Sequence, residues 1–141
     1  MQISELQYLH TVQYYETDAM GIVHHSNYIR WFEEARTDYL EQIGYSYKRL
    51  EEEGIISPVL EIEAKYKSSV HYGDFVDIEV KLTSFNGVKF YFSYTIKDVK
   101  TGEICTTGTS GHCLLDRQNR PVRLKKINPK LYELLESLVE S

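Results

Sequence analysis

Basic charge, cysteine and long apolar runs are all scarce in this chain, and each scarcity excludes something. Lysine and arginine number 16 against 21 aspartates and glutamates, a net charge of −5. That balance argues against a general binder of nucleic acid or membrane surfaces. Anionic small ligands stay possible wherever basic residues cluster. No stretch approaches 18 apolar residues, so no transmembrane helix is expected. The opening MQISELQYLH has neither a basic n-region nor an apolar h-region, so no signal peptide is expected and a cytoplasmic location is. The two cysteines, Cys105 and Cys113, fall in one expected strand. Eight residues of strand separate their Cα atoms by roughly 26 Å, far beyond the reach of about 7 Å that a disulfide allows. They read as buried thiols in a reducing compartment. GxSxG, GxGxxG and P-loop motifs are missing, which leaves serine-hydrolase, dinucleotide and NTPase readings unsupported. Glu16, Asp18, His24 and His25 match no zinc spacing, and no metal is expected.

What is present fits one domain over residues 1–141, large enough to bury roughly 68–70% of its unfolded surface without staples. Twelve tyrosines read as half-buried packing residues on a sheet and at a subunit interface. After a frayed lead-in over residues 1–7, residues 8–15 read as a strand and 16–25 as a loop. Residues 27–43 read as a long helix. Tyr28, Trp31, Phe32, Ala35, Tyr39 and Ile43 form its apolar stripe, Ser26 its N-cap and Gly44 its left-handed terminator. Ser46 starts a short helix that ends at Gly54.

Four strands follow. In residues 59–70, Leu60, Ile62, Ala64, Tyr66, Ser68 and Val70 alternate with polar residues, predicting one buried and one wet face. The turn His71–Asp74 leads to a strand with Val76, Ile78, Val80 and Leu82 inward. Asn86-Gly87 predicts a type I′ hairpin into a strand carrying Val88, Phe90, Phe92, Tyr94 and Ile96. Residues 100–102 turn into the strand 103–115, where Gly108 and Gly111 mark bends or a close ligand approach. A helix over 129–138 follows, with Asn128 as cap and Pro129 in its first turn. This order predicts an α+β fold in which the last four strands form an antiparallel meander under the long helix. Exposed sheet edges need cover, which predicts a homodimer or a dimer of dimers.

The loop before the long helix carries the chemistry. Asp18 sits beside Gly21, among apolar and small residues able to line a dry pocket, close to a helix start whose free N–H groups favour negative charge. A turn aspartate is the plain alternative. Of the adjacent His24 and His25, one should face the site. The N–H groups from His25 to Tyr28 are candidates to hold a thioester carbonyl as it becomes an oxyanion. Tyr14, at the expected strand end, could bond the carboxylate or simply pack. Arg117, Arg120, Arg123, Lys125 and Lys126 form a basic stretch, a solvated face or an anion dock.

The pattern Tyr14-x-x-x-Asp18-x-x-Gly21-x-Val23-x-His25-x-x-Tyr28, followed by Phe32-Glu33-x-Ala35-Arg36 and by Tyr72-Gly73-Asp74, resembles the 4-hydroxybenzoyl-CoA thioesterase-like group of hot-dog proteins. It looks closest to the acyl-CoA thioesterase subgroup associated with the Tol–Pal system. The resemblance implies a hot-dog fold, a curved antiparallel sheet wrapped round one central helix, with active sites at a dimer interface. It implies that Asp18 is the catalytic aspartate, acting as general base or nucleophile, that Tyr14 and His25 match the subgroup's tyrosine and histidine, and that the His25 N–H polarises the thioester. Gly21, Val23, Asn27 and Tyr28 would then line the substrate site. Arg120 and Arg123 would meet coenzyme A phosphates, the coenzyme entering as part of the substrate with no separate cofactor. An acyl-carrier-protein thioesterase and a non-catalytic acyl-thioester binder are the alternatives.

Overall fold

The computed structural model describes residues 7–140. Helix α1 (Ser26–Gln42) lies at its centre and buries Tyr28, Trp31, Phe32, Ala35 and Tyr39 as the spacing requires. Full burial of each such side chain stabilises by about 1.5–3 kcal/mol. Ile43, the last of the stripe, is only half-buried. The helix ends where Gly44 takes φ +88° and its N–H bonds back to the Glu41 carbonyl.

Five antiparallel strands curve round α1: β1 (Gln7–Thr11), β2 (Val59–Tyr66), β3 (Phe75–Phe85), β4 (Lys89–Asp98) and β5 (Ile104–Cys113). Strict inward alternation of Val76, Ile78, Val80 and Leu82 in β3, and of Phe90, Phe92, Tyr94 and Ile96 in β4, supplies the facing layer. Three short helices complete the chain: α2 (Tyr47–Glu52), α3 (Leu124–Ile127) and α4 (Pro129–Leu138). Ser46 and Asn128 cap α2 and α4 by accepting the N–H of Arg49 and of Leu131. Helix α3, pinned by fully buried Leu124, was invisible to periodicity because it is a single turn.

The strand order is β1-β3-β4-β5-β2, which corrects the four-strand meander. Only β3, β4 and β5 run consecutively. Strand β2 crosses to the far side of β5, and its link back to β3 feeds the reactive loop, where the Val70 carbonyl accepts the Val23 N–H at 2.8 Å. As an edge, β2 ends at Tyr66 instead of continuing to residue 70. Its expected buried face is half-open, with Leu60 and Tyr66 each about half exposed.

The first strand stops at Thr11, not residue 15, and the lead-in over residues 1–6 lies outside the described residues. A 3₁₀ turn, Tyr14–Glu16, replaces the strand end because the Glu16 carboxylate accepts the Gln13 N–H and closes the turn. The Asn86-Gly87 hairpin is not type I′, since only Gly87 has positive φ (+96°). Instead the Asn86 side chain accepts the N–H groups of Val88 and Lys89. Strand β5 is shorter than residues 103–115, and at Gly108 the close approach comes from inside. A Cβ there would stand 2.5 Å from the Phe32 ring.

Two charged residues, Glu16 and Arg36, are buried. Arg36 donates to the hydroxyls of Tyr47 (2.7 Å) and Tyr94 (3.0 Å), and Tyr94 continues through Ser110 (2.5 Å) to His112 Nε2 (2.7 Å). Burial, helped by the Arg36 charge, pushes the His112 imidazole down to about 4. Cys105 and Cys113 are both free and buried in β5.

Candidate active site

The reactive loop is a tight antiparallel hairpin. The Glu16 carbonyl accepts the His24 N–H (2.9 Å), Thr17 pairs with Val23, and the Asp18 N–H bonds the Ile22 carbonyl (2.8 Å). Gly21 turns the tip at φ +78°, a conformation that suits glycine. Asp18 is half-buried. Its Oδ1 accepts the Met20 N–H at 2.7 Å, and its Oδ2 has no partner among the described residues. One oxygen thus orients the carboxylate while the other stays available to a proton or an electrophile.

The helix start differs from the expected one. His25, not Ser26, is the cap residue, and Ser26 is the first helical residue. Asn27 N–H bonds the His24 carbonyl and Tyr28 N–H the His25 carbonyl, while Ser26 N–H points to His24 Nδ1 at 3.2 Å. Those donors are occupied. The His25 N–H has no acceptor among the described residues, which singles it out. The two histidine rings do not point apart. They lie against each other with centroids 4.1 Å apart, both exposed.

Tyr66 was missed by sequence reasoning. It reaches from β2 to donate its hydroxyl to the His25 carbonyl (3.2 Å), and its ring packs edge-on against buried Tyr28 at 5.0 Å. No local signal marks a contact spanning 41 residues of sequence. Glu16, considered in the sequence only as part of a metal set that was set aside, has a structural place. It turns inward to accept Trp31 Nε1 at 2.6 Å and to pair with His10 at 2.8 Å. Burial pushes its carboxyl up, but the bonds from Gln13, His10 and Trp31 outweigh this and hold it below the usual glutamate value. Asn27 is buried because its side chain donates to the Glu16 carbonyl at 2.8 Å, so it braces the loop from beneath.

Other candidates scatter. Val23 and Tyr28 are buried beside the loop, and Gly21 lies at its exposed tip. Tyr14 is 76% exposed, edge-on to Tyr72, with no bond to Asp18. Arg123 lines a cavity of about 350 Å³ with Asn86, Lys125 and Tyr132, at the Phe85 end of β3. The reactive loop adjoins the other end, through the pairing of Ile22 with His71. Eleven residues of β3 hold these ends roughly 33 Å apart. Within one chain, then, Arg120 and Arg123 do not meet Asp18. Nor does the loop form a closed pocket, since Met20 at its tip is 80% exposed. A larger hollow of about 680 Å³ runs along the polar face of α1 and contains neither Asp18 nor His25. Five carboxylates line it against Arg30, a poor setting for a polyanion.

A curved antiparallel sheet wrapped round one central helix is the architecture of the hot-dog thioesterases. The chain belongs to the thioesterase-like superfamily, whose model matches residues 12–135. It is 35% identical over 126 residues to YneP of Bacillus subtilis, a protein named provisionally as an acyl-CoA thioesterase, covering 89% of this chain and 91% of that one. YbgC of Escherichia coli O6:H1, named an acyl-CoA thioester hydrolase, is 31% identical over 85 residues, 60% of this chain and 63% of YbgC. A solved structure of a DHNA-CoA thioesterase from Staphylococcus aureus superposes with TM-score 0.87 at 33% identity, covering 93% of this chain and 88% of that one. The protein is accordingly a thioester hydrolase. No helix among the described residues is long and apolar enough to cross a membrane.

Proposed function

We propose that the chain hydrolyses acyl-CoA thioesters to the free acid and coenzyme A, using Asp18 and the His25 N–H. The observation that carries this reading is the pairing, on one hairpin, of a carboxylate with a free Oδ2 and a helix-entry N–H with no acceptor. The N–H would donate to the thioester oxygen as it becomes an oxyanion, typically the largest single contribution such a site can make. Asp18 Oδ2 takes a proton from the attacking water as general base, or attacks the carbonyl carbon itself as nucleophile. Either way the C–S bond breaks, and the sulfur leaves as thiolate. Along the nucleophile route a mixed anhydride forms on Asp18, and water then opens it.

Tyr66 and Asn27 position the helix entry. Gly21, Val23 and Tyr28 would flank the acyl group, and Tyr14 and the His25 ring would approach from the solvent side. Arg120 and Arg123 would meet phosphates. The exposed loop tip argues that a second chain completes the wall, so the proposed assembly is a homodimer able to pair into a dimer of dimers. The proposed setting is cytoplasmic, the reducing compartment that two free thiols suit. The chemistry needs no cofactor, coenzyme A being part of the substrate.

The test is a hydrolysis screen of the full chain over aliphatic acyl-CoAs of graded length, aromatic acyl-CoAs and the matching acyl-carrier-protein thioesters. Turnover of a CoA series supports the proposal. Turnover confined to carrier-protein substrates, or tight acyl-CoA retention without thiol release, overturns it.

A further inference from the structure

His24 stands between Asp18 and the His25 N–H in the chain, and it is tied at three points. Its own N–H donates to the Glu16 carbonyl at 2.9 Å, and its carbonyl accepts the Asn27 N–H at 3.0 Å. Its ring nitrogen Nδ1 lies 3.2 Å from the Ser26 nitrogen and 2.8 Å from Ser26 Oγ. The ring is exposed, so burial does not account for its place.

A backbone nitrogen can only donate, so Nδ1 accepts the Ser26 N–H and carries no proton of its own. The neutral ring then bears its hydrogen on Nε2. This bond stands where a side-chain oxygen commonly satisfies one of the first donors of a helix. His25, the cap residue, makes no such bond with its own side chain.

The bond also decides which donor stays open. Of the N–H groups from His25 to Tyr28, those of Ser26, Asn27 and Tyr28 have acceptors, and two of these three acceptors belong to His24. Only the His25 N–H has none among the described residues. Without Nδ1, the Ser26 N–H would become a second bare donor beside it. The bond spans His25, so it also fixes the backbone on both sides of that residue. The His24 ring lies against the His25 ring as well, with centroids 4.1 Å apart.

We infer that His24 is a positioning residue for the hydrolysis: its unprotonated Nδ1 closes a turn around His25 and aims the His25 N–H at the thioester oxygen. This role rests on the functional reading above. His24 acts through the backbone and needs no contact with the reacting atoms.

Two substitutions separate the acceptor from the ring. His24→Asn offers a side-chain oxygen suited to the N–H two residues on, without an aromatic face. His24→Phe keeps a face against His25 and has no acceptor. Both full-length variants are measured for kcat and KM on the best acyl-CoA, with circular dichroism as the check of folding and Asp18→Asn alongside. His24→Phe should lower kcat about tenfold at unchanged KM, part of the roughly 10²–10³ that losing an oxyanion donor outright costs. His24→Asn should restore the wild-type kcat. Wild-type kcat in His24→Phe, or equal losses in the two variants, overturns the role.

Nitrogen-15 spectra of the wild-type imidazoles give a second reading that depends on neither turnover nor the folding of a variant. Above the ordinary imidazole range, His24 should show a bare Nδ1 and a protonated Nε2. A protonated Nδ1 overturns the inference. The two failures are distinguishable. A wild type that cleaves no thioester, or an Asp18→Asn that turns over like wild type, removes the functional reading and this role with it. Turnover that needs Asp18 but is untouched in His24→Phe removes the role alone.

Discussion

Replacing His112 with Phe should remove a defined part of the protein's sensitivity to acid. His112 is fully buried, stacks on Phe90 at 5.0 Å, bonds Ser110, and leaves Nδ1 without a partner among the described residues. Burial and the nearby Arg36 charge push its imidazole from an ordinary 6.5 down to about 4. The sign follows from which state takes the proton. Below 6.5 the unfolded chain binds a proton at this position and the folded chain refuses it. Stability from neutral His112 is therefore present above 6.5 and lost as pH falls toward 4. Each pH unit in that window is worth about 1.4 kcal/mol, so the loss is about 2 kcal/mol at pH 5 and approaches about 3 kcal/mol near pH 4. Phe keeps the stack and leaves Ser110 bonded to Tyr94, so the variant lacks the titration without orphaning its neighbour. Urea unfolding at pH 7 and pH 5, at one protein concentration, should show wild type losing about 2 kcal/mol more than His112→Phe between the two. Equal losses would refute the reasoning, because the slope would then belong to other groups.

Glu16 governs a lower window. Its carboxyl is held below its ordinary value, so the stability it contributes is present above 4.5 and lost as pH falls through the folded value. Glu16→Gln should lower stability at pH 7 by about 1–3 kcal/mol, the cost of weakening buried charged hydrogen bonds, and should flatten the urea midpoint below pH 4.5. Gly108→Ala should cost about 1–3 kcal/mol by overpacking, since its Cβ meets the Phe32 ring and also the Glu63 carbonyl oxygen at 2.8 Å. Adding Phe32→Leu should recover only the ring's share, read by thermal unfolding. Tyr66→Phe should change stability little, because the bond to the His25 carbonyl is exposed, yet should lower kcat more than it raises KM. Single-turnover hydrolysis in ¹⁸O water, followed by mass analysis of the Asp18 peptide, tests the nucleophile route: label in Asp18 identifies an anhydride opened at the aspartyl carbonyl, and its absence rules out that opening.

The helix and the hairpin strands were legible in the sequence because their signals are local. Tyr28 to Tyr39 recur at helical spacing, Val76 to Leu82 and Phe90 to Ile96 alternate, and Asn128 with Pro129 announces α4. The place of β2 was not legible. A clean alternation predicts a half-buried strand but says nothing of which neighbour it chooses, and here the chain carries β2 past β3 to the far edge. The interior of the polar network escaped for a related reason. Arg36 and Glu16 look like surface charges until Tyr47, Tyr94, Trp31 and His10 arrive from distant segments to satisfy them.

At the site, the motif located the loop but not its bonding. That Met20 N–H fixes one oxygen of Asp18, and that His24 rather than Ser26 answers the helix start, depends on hairpin geometry that residue types do not encode. The basic stretch shows the limit of reading one chain. Arg120 sits in the turn paired through Leu115 and Pro121, and within one chain that turn lies at the far end of the sheet from Asp18.

The most direct test of the central claim is the turnover of Asp18→Asn on the best acyl-CoA substrate, beside wild type. The substitution keeps the Oδ1 acceptor for Met20, so the variant should fold and sediment as wild type does. The account predicts that kcat falls by at least about a hundredfold, the scale of a lost acid–base group. Hydrolysis by a folded Asp18→Asn at the wild-type rate would contradict it.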